Sequence, residues 1–141
     1  MLEQSAMKNP KIIIDTNLWI SFLISKDFTK LDRLIFDKNC VLVFSKELLN
    51  EFLGVVKRPK FRRFFSQEDI EDILETIQEY AEYFEVVSEV TICRDVKDNF
   101  LLSLAKDSES DFLITGDKDL FDLQTFEKTK ILTITEFLEQ K

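Results

Sequence analysis

The sequence contains no histidine and only two glycines. Without histidine, the chain cannot form a hydrolytic triad with a histidine base or a zinc site with imidazole ligands. With Gly54 and Gly116 as its only glycines, it has neither a glycine-rich phosphate loop nor a dinucleotide-binding fingerprint. The chemistry that remains available rests on carboxylates, supported by lysines and hydroxyl groups.

The sequence also has little cysteine and no long apolar run. Its two cysteines, Cys40 and Cys93, give neither a disulfide framework nor the paired spacing of a metal site, so we expect both to be small buried hydrophobic residues. No apolar run approaches the ~18 residues of a membrane span, and residues 1–9 lack the apolar core of a signal peptide. These absences favour a cytoplasmic protein.

Length and composition indicate a single globular domain. The chain has 141 residues, of which 45% are hydrophobic and 33% are charged, which is enough for a sizeable core and a charged surface. We predict a flexible lead-in over residues 1–10 and one domain over residues 11–141. The net charge of −8 disfavours broad, nonspecific binding of nucleic acid but is compatible with a local basic patch.

Strand-like and helix-like segments alternate along the chain. Short β-branched and apolar runs predict strands over residues 11–15, 40–44, 111–115 and 131–133, with a weaker strand over residues 85–92. Helical periodicity predicts a helix beginning near Leu18, a helix from Ser45 to about Lys57, a long amphipathic helix from Ser66 to Phe84, and an apolar helix capped by Asp98. This alternation predicts a three-layer α/β/α fold with a mainly parallel, five-stranded sheet.

Two of the predicted strands end at or just before an aspartate, Asp15 and Asp117. The carboxyl ends of parallel strands share one edge of a sheet, where α/β proteins place their chemistry. Asp98 lies at a predicted helix start, and Glu51 borders the buried face of another helix. Each acid alone could be a helix cap or a surface residue. Four carboxylates in one cleft repel one another, however, and carboxylates without histidine or thiolate partners select Mg²⁺ or Mn²⁺.

With these residues in place, the chain resembles the PIN-domain proteins, many of which are toxins of toxin–antitoxin pairs. The resemblance rests on four short regions that follow the family's order and spacing. They are Ile13-Ile14-Asp15-Thr16-Asn17; residues 45–52 with the following Lys57-Arg58-Pro59-Lys60-Phe61; Arg94-Asp95-Val96-Lys97-Asp98-Asn99; and residues 113–120. It extends from residue 11 to about residue 135. A mild departure is Val96, which stands where many relatives carry proline.

The resemblance implies a metal-dependent ribonuclease that acts on single-stranded RNA. The family's acidic quartet falls on Asp15, Glu51, Asp98 and Asp117, which would hold one or two Mg²⁺ or Mn²⁺ ions. Asn17, Thr115 and Asp119 match positions that support the site. A small antitoxin protein is the implied partner, and exposed members of the fourteen phenylalanines would suit a partner groove or a homodimer face.

One segment of this acidic chain is strongly basic. Its cations are Lys57, Arg58, Lys60, Arg62 and Arg63, and they are interleaved with Phe61, Phe64 and Phe65. Cations that follow a phosphate backbone, beside aromatic rings that stack on bases, are typical of single-stranded RNA binding. The alternative is a helix connection whose phenylalanines pack inward and whose charges are solvated. We therefore treat the segment as a candidate RNA-binding surface.

Three other functions share parts of this pattern. A phosphatase with an aspartate nucleophile usually needs a second acid two residues later, where this chain has Asn17. A receiver-like signalling domain needs an acidic pair at the end of the first strand, where Asp15 stands alone, although Lys118 retains part of that pattern. A PIN-like module that binds RNA or protein without cutting would have the same residues, and metal-dependent turnover distinguishes it from the nuclease.

Overall fold

The computed structural model of the chain describes residues 9–140 and has the predicted three-layer α/β/α fold. The helices are α1 (Thr16–Ser25), α2 (Thr29–Asp32), α3 (Lys46–Val56), α4 (Gln67–Tyr80), α5 (Val96–Ser108), α6 (Lys118–Phe121) and α7 (Ile134–Leu138). The strands are β1 (Lys11–Ile14), β2 (Val41–Phe44), β3 (Ala81–Tyr83), β4 (Phe112–Ile114), β5 (Thr125–Phe126) and β6 (Thr129–Leu132). A π-helical turn at Arg33–Asp37 follows α2, and a 3₁₀ turn at Pro59–Phe61 follows α3. None of the helices in this part of the chain is both long and apolar enough to cross a membrane.

The strands form one sheet with the order β3-β2-β1-β4-β6-β5. All neighbouring pairs are parallel except β5 with β6. β1 lies between β2 and β4, so that Ile12 is opposite both Leu42 and Phe112. Ile12 and Ile13 are fully buried, as expected for a central strand that is covered on both faces. The apolar run that predicted the first strand therefore forms the centre of the molecule.

An aromatic cluster joins two helices to the sheet. Trp19 of α1 lies with its ring centroid 5.9 Å from that of Phe44 in β2 and 6.1 Å from that of Phe52 in α3. All three side chains are at most 1% exposed. Aromatic pairs at these distances contribute beyond the area that they bury. The cluster therefore holds α1 and α3 in fixed positions on the sheet.

Most of the predicted helix starts are confirmed, with one correction. The Ser45 hydroxyl accepts a hydrogen bond from the Leu48 amide at 3.0 Å, and Ser66 with Asp69 forms a capping box at the start of α4. The prediction of Asp98 as the cap of α5 is wrong. The cap is Asp95, whose carboxylate accepts the Lys97 N–H at 2.9 Å, so that Asp98 lies inside the first helical turn.

Two strand predictions are also corrected. The third strand is Ala81–Tyr83 rather than residues 85–92, and the amphipathic helix ends at Tyr80 rather than at Phe84. The backbone at Ala81 is already extended and pairs with Leu42 of β2, so sheet pairing overrides the helical periodicity of this stretch. The sheet has six strands rather than five because β5 folds back antiparallel onto β6. A strand of two residues has too little pattern to be read from sequence.

The prediction of a flexible lead-in falls mostly outside the described residues, since these begin at Asn9. Within them, the Pro10 carbonyl accepts a hydrogen bond from the Val41 amide at 2.8 Å. The chain is therefore already held against the sheet one residue before β1. For residues 1–8 the lead-in stays a prediction.

Candidate metal centre

The candidate site lies at the point in the sheet where the order of strand addition reverses, between β1 and β4. The chain passes from β1 to β2 on one side and returns to place β4 on the other side of β1. Ligand sites of open α/β sheets form beyond the carboxyl ends of the strands at such a switch point. Asp15 directly follows β1, and Asp117 follows β4 after Thr115 and Gly116. The topology therefore brings the two strand-end acids to one crevice.

Thr115 connects these two acids. Its hydroxyl donates a hydrogen bond to Oδ2 of Asp15 at 2.7 Å and accepts one from the Asp117 amide at 3.0 Å. The other oxygen of Asp15 accepts the Asn17 N–H at 3.2 Å and caps α1. Asp15 and Thr115 are both buried. The carboxylate of Asp15 is thus oriented by contacts to both of its oxygens.

Asp98 differs from Asp15 because its charge is poorly compensated. The residue lies in the first turn of α5 and is only 4% exposed. Within residues 9–140, its Oδ2 atom has no hydrogen-bond partner. Buried polar atoms are almost always paired, so an unpaired carboxylate oxygen in a crevice is the feature expected of a ligand for a cation.

The three carboxylates of Asp98, Asp117 and Asp119 form a cluster, which we call the acid cluster. One oxygen from each lies within 4.8 Å of the others. Burial, followed by the adjacent Asp117 carboxyl and the charges of Asp95 and Asp15, raises the pKa of Asp98 from 3.8 to about 7. Asp98 is therefore half-protonated near neutral pH unless a cation replaces the proton.

We expect the metal-free protein to lose stability as the pH rises from 5 to 8. The pKa of Asp98 is raised in the folded state, so the folded state holds the proton more tightly than the unfolded chain, and stability falls until the pH passes about 7. The expected loss is about 2–3 kcal/mol between these pH values. Urea denaturation in the presence of EDTA measures it.

Mg²⁺ provides the control for this pH effect. A bound cation favours ionised carboxylates, so saturating Mg²⁺ should restore the stability that is lost at pH 8. The acids with lowered pKa values, Asp27, Asp69 and Asp107, titrate below this range and do not contribute to it. If the stability of the metal-free protein is constant or rises between pH 5 and pH 8, Asp98 does not have the raised pKa assigned to it.

Glu51 reaches the same end of the sheet from α3. Its Oε1 atom accepts a hydrogen bond from the Thr16 hydroxyl at 3.5 Å, and its Oε2 atom lies 3.3 Å from the Lys97 ammonium. These contacts place Glu51 between the start of α1, which Asp15 caps, and the start of α5, which carries Asp98. Its position fits the expectation that α3 directs a carboxylate toward the strand ends.

The structure groups the acids differently from the sequence prediction. The acid cluster includes Asp119, which was expected only to support the site, whereas Asp15 and Glu51 flank the cluster through Thr115 and Lys97. Asn17 contributes its backbone N–H to Asp15, and its own side chain is exposed.

The loop before α5 and the first turn of α5 each carry a cation that sequence reasoning did not assign. Arg94 forms two hydrogen bonds with Asp119, at 3.0 and 3.2 Å, and Lys97 pairs with Glu51. Asn99 holds this loop, because its side chain accepts the Cys93 N–H at 2.7 Å and donates to the Cys93 carbonyl at 3.0 Å. Cys93 is half-buried, whereas Cys40 is buried as expected. The only sequence signal was that both cations lie within four residues of Asp98.

The donor set fits a hard divalent cation. All of its ligand atoms are carboxylate oxygens, one of them buried and without a partner, with a threonine hydroxyl in support. Mg²⁺ and Mn²⁺ prefer oxygen ligands of this kind. Asp15, Asp98, Asp117 and Asp119 could hold such an ion.

The basic segment lies on the surface beyond α3. Its five cations, Lys57, Arg58, Lys60, Arg62 and Arg63, are all exposed, and none forms an ion pair with another residue of the described range. Phe65 is buried, Phe61 is half-buried and Phe64 is exposed, with Arg63 5.2 Å from the Phe64 ring centroid. The inward-packing alternative therefore holds for Phe65, while Phe64 and the cations remain accessible.

Comparison with known proteins agrees with this architecture. The PIN domain family profile matches residues 11–119. A solved structure of VapBC2 from Rickettsia felis, bound to a DNA fragment from their promoter, contains a chain that is 16% identical and superposes with a TM-score of 0.57. The match covers 86% of this chain and 96% of that one. Comparison with curated protein sequences gives no significant match. The profile match spans the whole region from β1 to the acid cluster, and the chain belongs to the PIN domain family.

Proposed function

We propose that the protein is a Mg²⁺- or Mn²⁺-dependent endoribonuclease that hydrolyses phosphodiester bonds of single-stranded RNA. The observation that carries this proposal is the acid cluster around the unpaired, buried oxygen of Asp98 in a PIN-family chain. The other acids of the predicted quartet, Asp15 and Glu51, lie at its edges. We assign Asp15, Glu51, Asp98 and Asp117 as the catalytic acids.

The side chains have separate roles in this proposal. Asp15, Asp98, Asp117 and Asp119 would hold one or two ions, with Glu51 at the side. When bound, such an ion activates water and stabilises charge that develops on the phosphate. Thr115 orients the Asp15 carboxylate and holds the backbone of Asp117, a role that usually changes metal affinity or activity by about 10- to 100-fold when it is removed.

The basic segment is proposed to hold the RNA beside the site. Glu51 and Lys57 are six residues apart along α3 and its end, a distance of about 9 Å at the helical rise. Lys57 begins the surface directly beyond the end of α3, and Arg58, Lys60, Arg62 and Arg63 extend it further. In a chain of net charge −8, this local patch is where a phosphate backbone would be held.

We further propose that the protein is the toxin of a toxin–antitoxin pair in the cytoplasm. The support is the similarity of its fold to a chain of VapBC2, together with its membership of the PIN family. The proposed partner is a small antitoxin protein, and a homodimer is the proposed assembly. A small open reading frame adjacent to the gene is the genomic observation that matches this role.

Removal of metal tests the proposed activity. Purified protein should cleave fluorescent single-stranded RNA in Mn²⁺ or Mg²⁺, lose at least about 100-fold in rate in EDTA, and recover when excess metal is added. Cleavage that persists unchanged in EDTA would contradict a metal-dependent nuclease. Binding of RNA without cleavage in either metal would instead support the non-catalytic PIN-like module.

A further inference from the structure

Two cations lie at the rim of the candidate metal centre, and each contacts a different acid. Arg94 is 88% exposed at its side chain and contacts Asp119, whereas Lys97 is 58% exposed and contacts Glu51. Asp119 belongs to α6 and Glu51 to α3, so the two cations point to the two flanks of the crevice. Both come from the same short stretch at the start of α5.

The backbone of this stretch is rigid enough to hold both cations in place. Asn99 makes two hydrogen bonds with the backbone of Cys93, and the Asp95 carboxylate caps the helix through the Lys97 N–H. These contacts fix the backbone on both sides of Arg94. The side chains themselves remain free to exchange partners because they are exposed.

Stability does not explain these two ion pairs. Exposed pairs of this kind contribute little to folding, since solvent screens them and the side chains lose conformational freedom. Cations next to a site for a divalent cation also repel the ion that the site is proposed to bind. The position of the two cations is better explained by an anion that occupies the crevice together with the divalent metal ion.

The geometry of each pair indicates the kind of anion. A single guanidinium nitrogen of Arg94, Nη2, contacts both oxygens of Asp119, and the planar group carries further N–H donors in a fork that matches a phosphate group. Lys97 acts as a single point charge beside Glu51. Phosphate oxygens of an RNA strand could therefore replace the carboxylates as partners of both residues.

We infer that Arg94 and Lys97 are positioning residues, each of which binds a phosphate group of the RNA beside the bond that is cut. This inference rests on the proposed function. The strand would cross the crevice from the α3 side to the α6 side, with Lys97 and Arg94 holding successive phosphates over the acid cluster.

Lys97→Met and Arg94→Met test the inference, with Lys26→Met as the matched control. Lys26 also forms an exposed pair with an aspartate at 3.3 Å, has an exposure of 60%, and lies in the α1–α4 region away from the acids. Each test variant should raise KM for a single-stranded RNA substrate about tenfold, with kcat changed less than about twofold, as removal of one charged hydrogen bond predicts. The salt dependence of RNA binding should become shallower, by about 0.7 in the logarithmic slope for each phosphate that is no longer neutralised. The control should leave all of these values unchanged.

Conservative variants and metal titration distinguish phosphate binding from charge balance. Lys97→Arg should keep a KM near that of the wild type, and Arg94→Lys should recover only part of the affinity, because lysine lacks the planar fork of N–H donors that matches a phosphate group. If the two cations only neutralise Glu51 and Asp119, both methionine variants will bind Mn²⁺ more tightly and cleave RNA with an unchanged KM. That result would overturn the inference.

A binding measurement separates failure of this inference from failure of the proposed function. Fluorescence anisotropy with a labelled single-stranded RNA, in an Asp98→Asn background, reports phosphate contacts without cleavage. If the wild-type protein cleaves RNA but the methionine substitutions change neither RNA affinity nor KM, the inference about Arg94 and Lys97 is wrong and the proposed function stands. A wild-type chain that does not cleave RNA in Mn²⁺ defeats the proposed function, and the anisotropy comparison still decides whether Arg94 and Lys97 bind RNA.

Discussion

Asp98→Asn is expected to lower metal-dependent cleavage of single-stranded RNA by about a thousandfold or more. The substitution removes the buried carboxylate whose unpaired oxygen is the proposed ligand for the cation, and an amide cannot supply the charge. Removal of several kcal/mol of transition-state stabilisation corresponds to this factor, since about 1.4 kcal/mol is tenfold. Initial rates at saturating Mn²⁺ measure it, and Asp117→Asn should behave in the same way.

The same Asp98→Asn substitution should make the metal-free protein more stable at pH 8, by about 2–4 kcal/mol. Asparagine has no charge to bury, so the pH dependence of the wild type should disappear. A decrease in activity together with an increase in stability excludes unfolding as the cause. Asp122→Asn, at an exposed acid that pairs with Lys118, is the matched control and should retain activity. Full activity of either Asp98→Asn or Asp117→Asn would sink the assignment of the site.

Phe52→Ala is expected to lower the free energy of unfolding by about 3–5 kcal/mol. Phe52 is fully buried and packs against Trp19, so its removal leaves a cavity between α3 and α1 and takes away an aromatic contact. The neighbouring Glu51 accepts a hydrogen bond from the Thr16 hydroxyl of α1 across the same pair of helices. Urea denaturation with an unchanged m-value measures the effect.

Phe36→Ala is the control for this core substitution. Phe36 is the same residue type but is 59% exposed, and its ring meets Tyr80 edge-on at 5.6 Å. We expect a decrease in stability within about 1 kcal/mol, which is the usual range for a surface aromatic contact. If the two variants are equally destabilised, α3 is not anchored to the core through Phe52.

Patterned segments explain which parts of the fold are predictable. Strands β1, β2 and β4 are apolar and largely buried, so their residues alone identify them. The prediction misplaces β3 because it is an edge strand that includes the exposed Glu82 and Tyr83, while the helical period of α4 continues in sequence through Phe84. The end of α4 is decided by pairing with β2, a contact that no local pattern contains.

The candidate site is predictable to the extent that its acids follow strands or begin helices. Asp15 and Asp117 are found by this rule, and each is also the cap of the following helix. Asp98 is found with the wrong local role, because two aspartates near one helix start, Asp95 and Asp98, both satisfy the preference for a cap. The contact of Arg94 with Asp119 spans 25 residues and depends on how the loop before α5 lies beside α6, which sequence alone does not supply.

The bond from Thr115 to Asp15 joins residues that are 100 positions apart. Since proteins are synthesised from the N-terminus and parallel strands pair late, Asp15 cannot form this bond until Thr115 has left the ribosome. A nascent or truncated chain that ends before β4 contains no assembled acid cluster. For a protein proposed to cut RNA, the order of its strands therefore means that the site can assemble only after β4 and Asp117 have been synthesised.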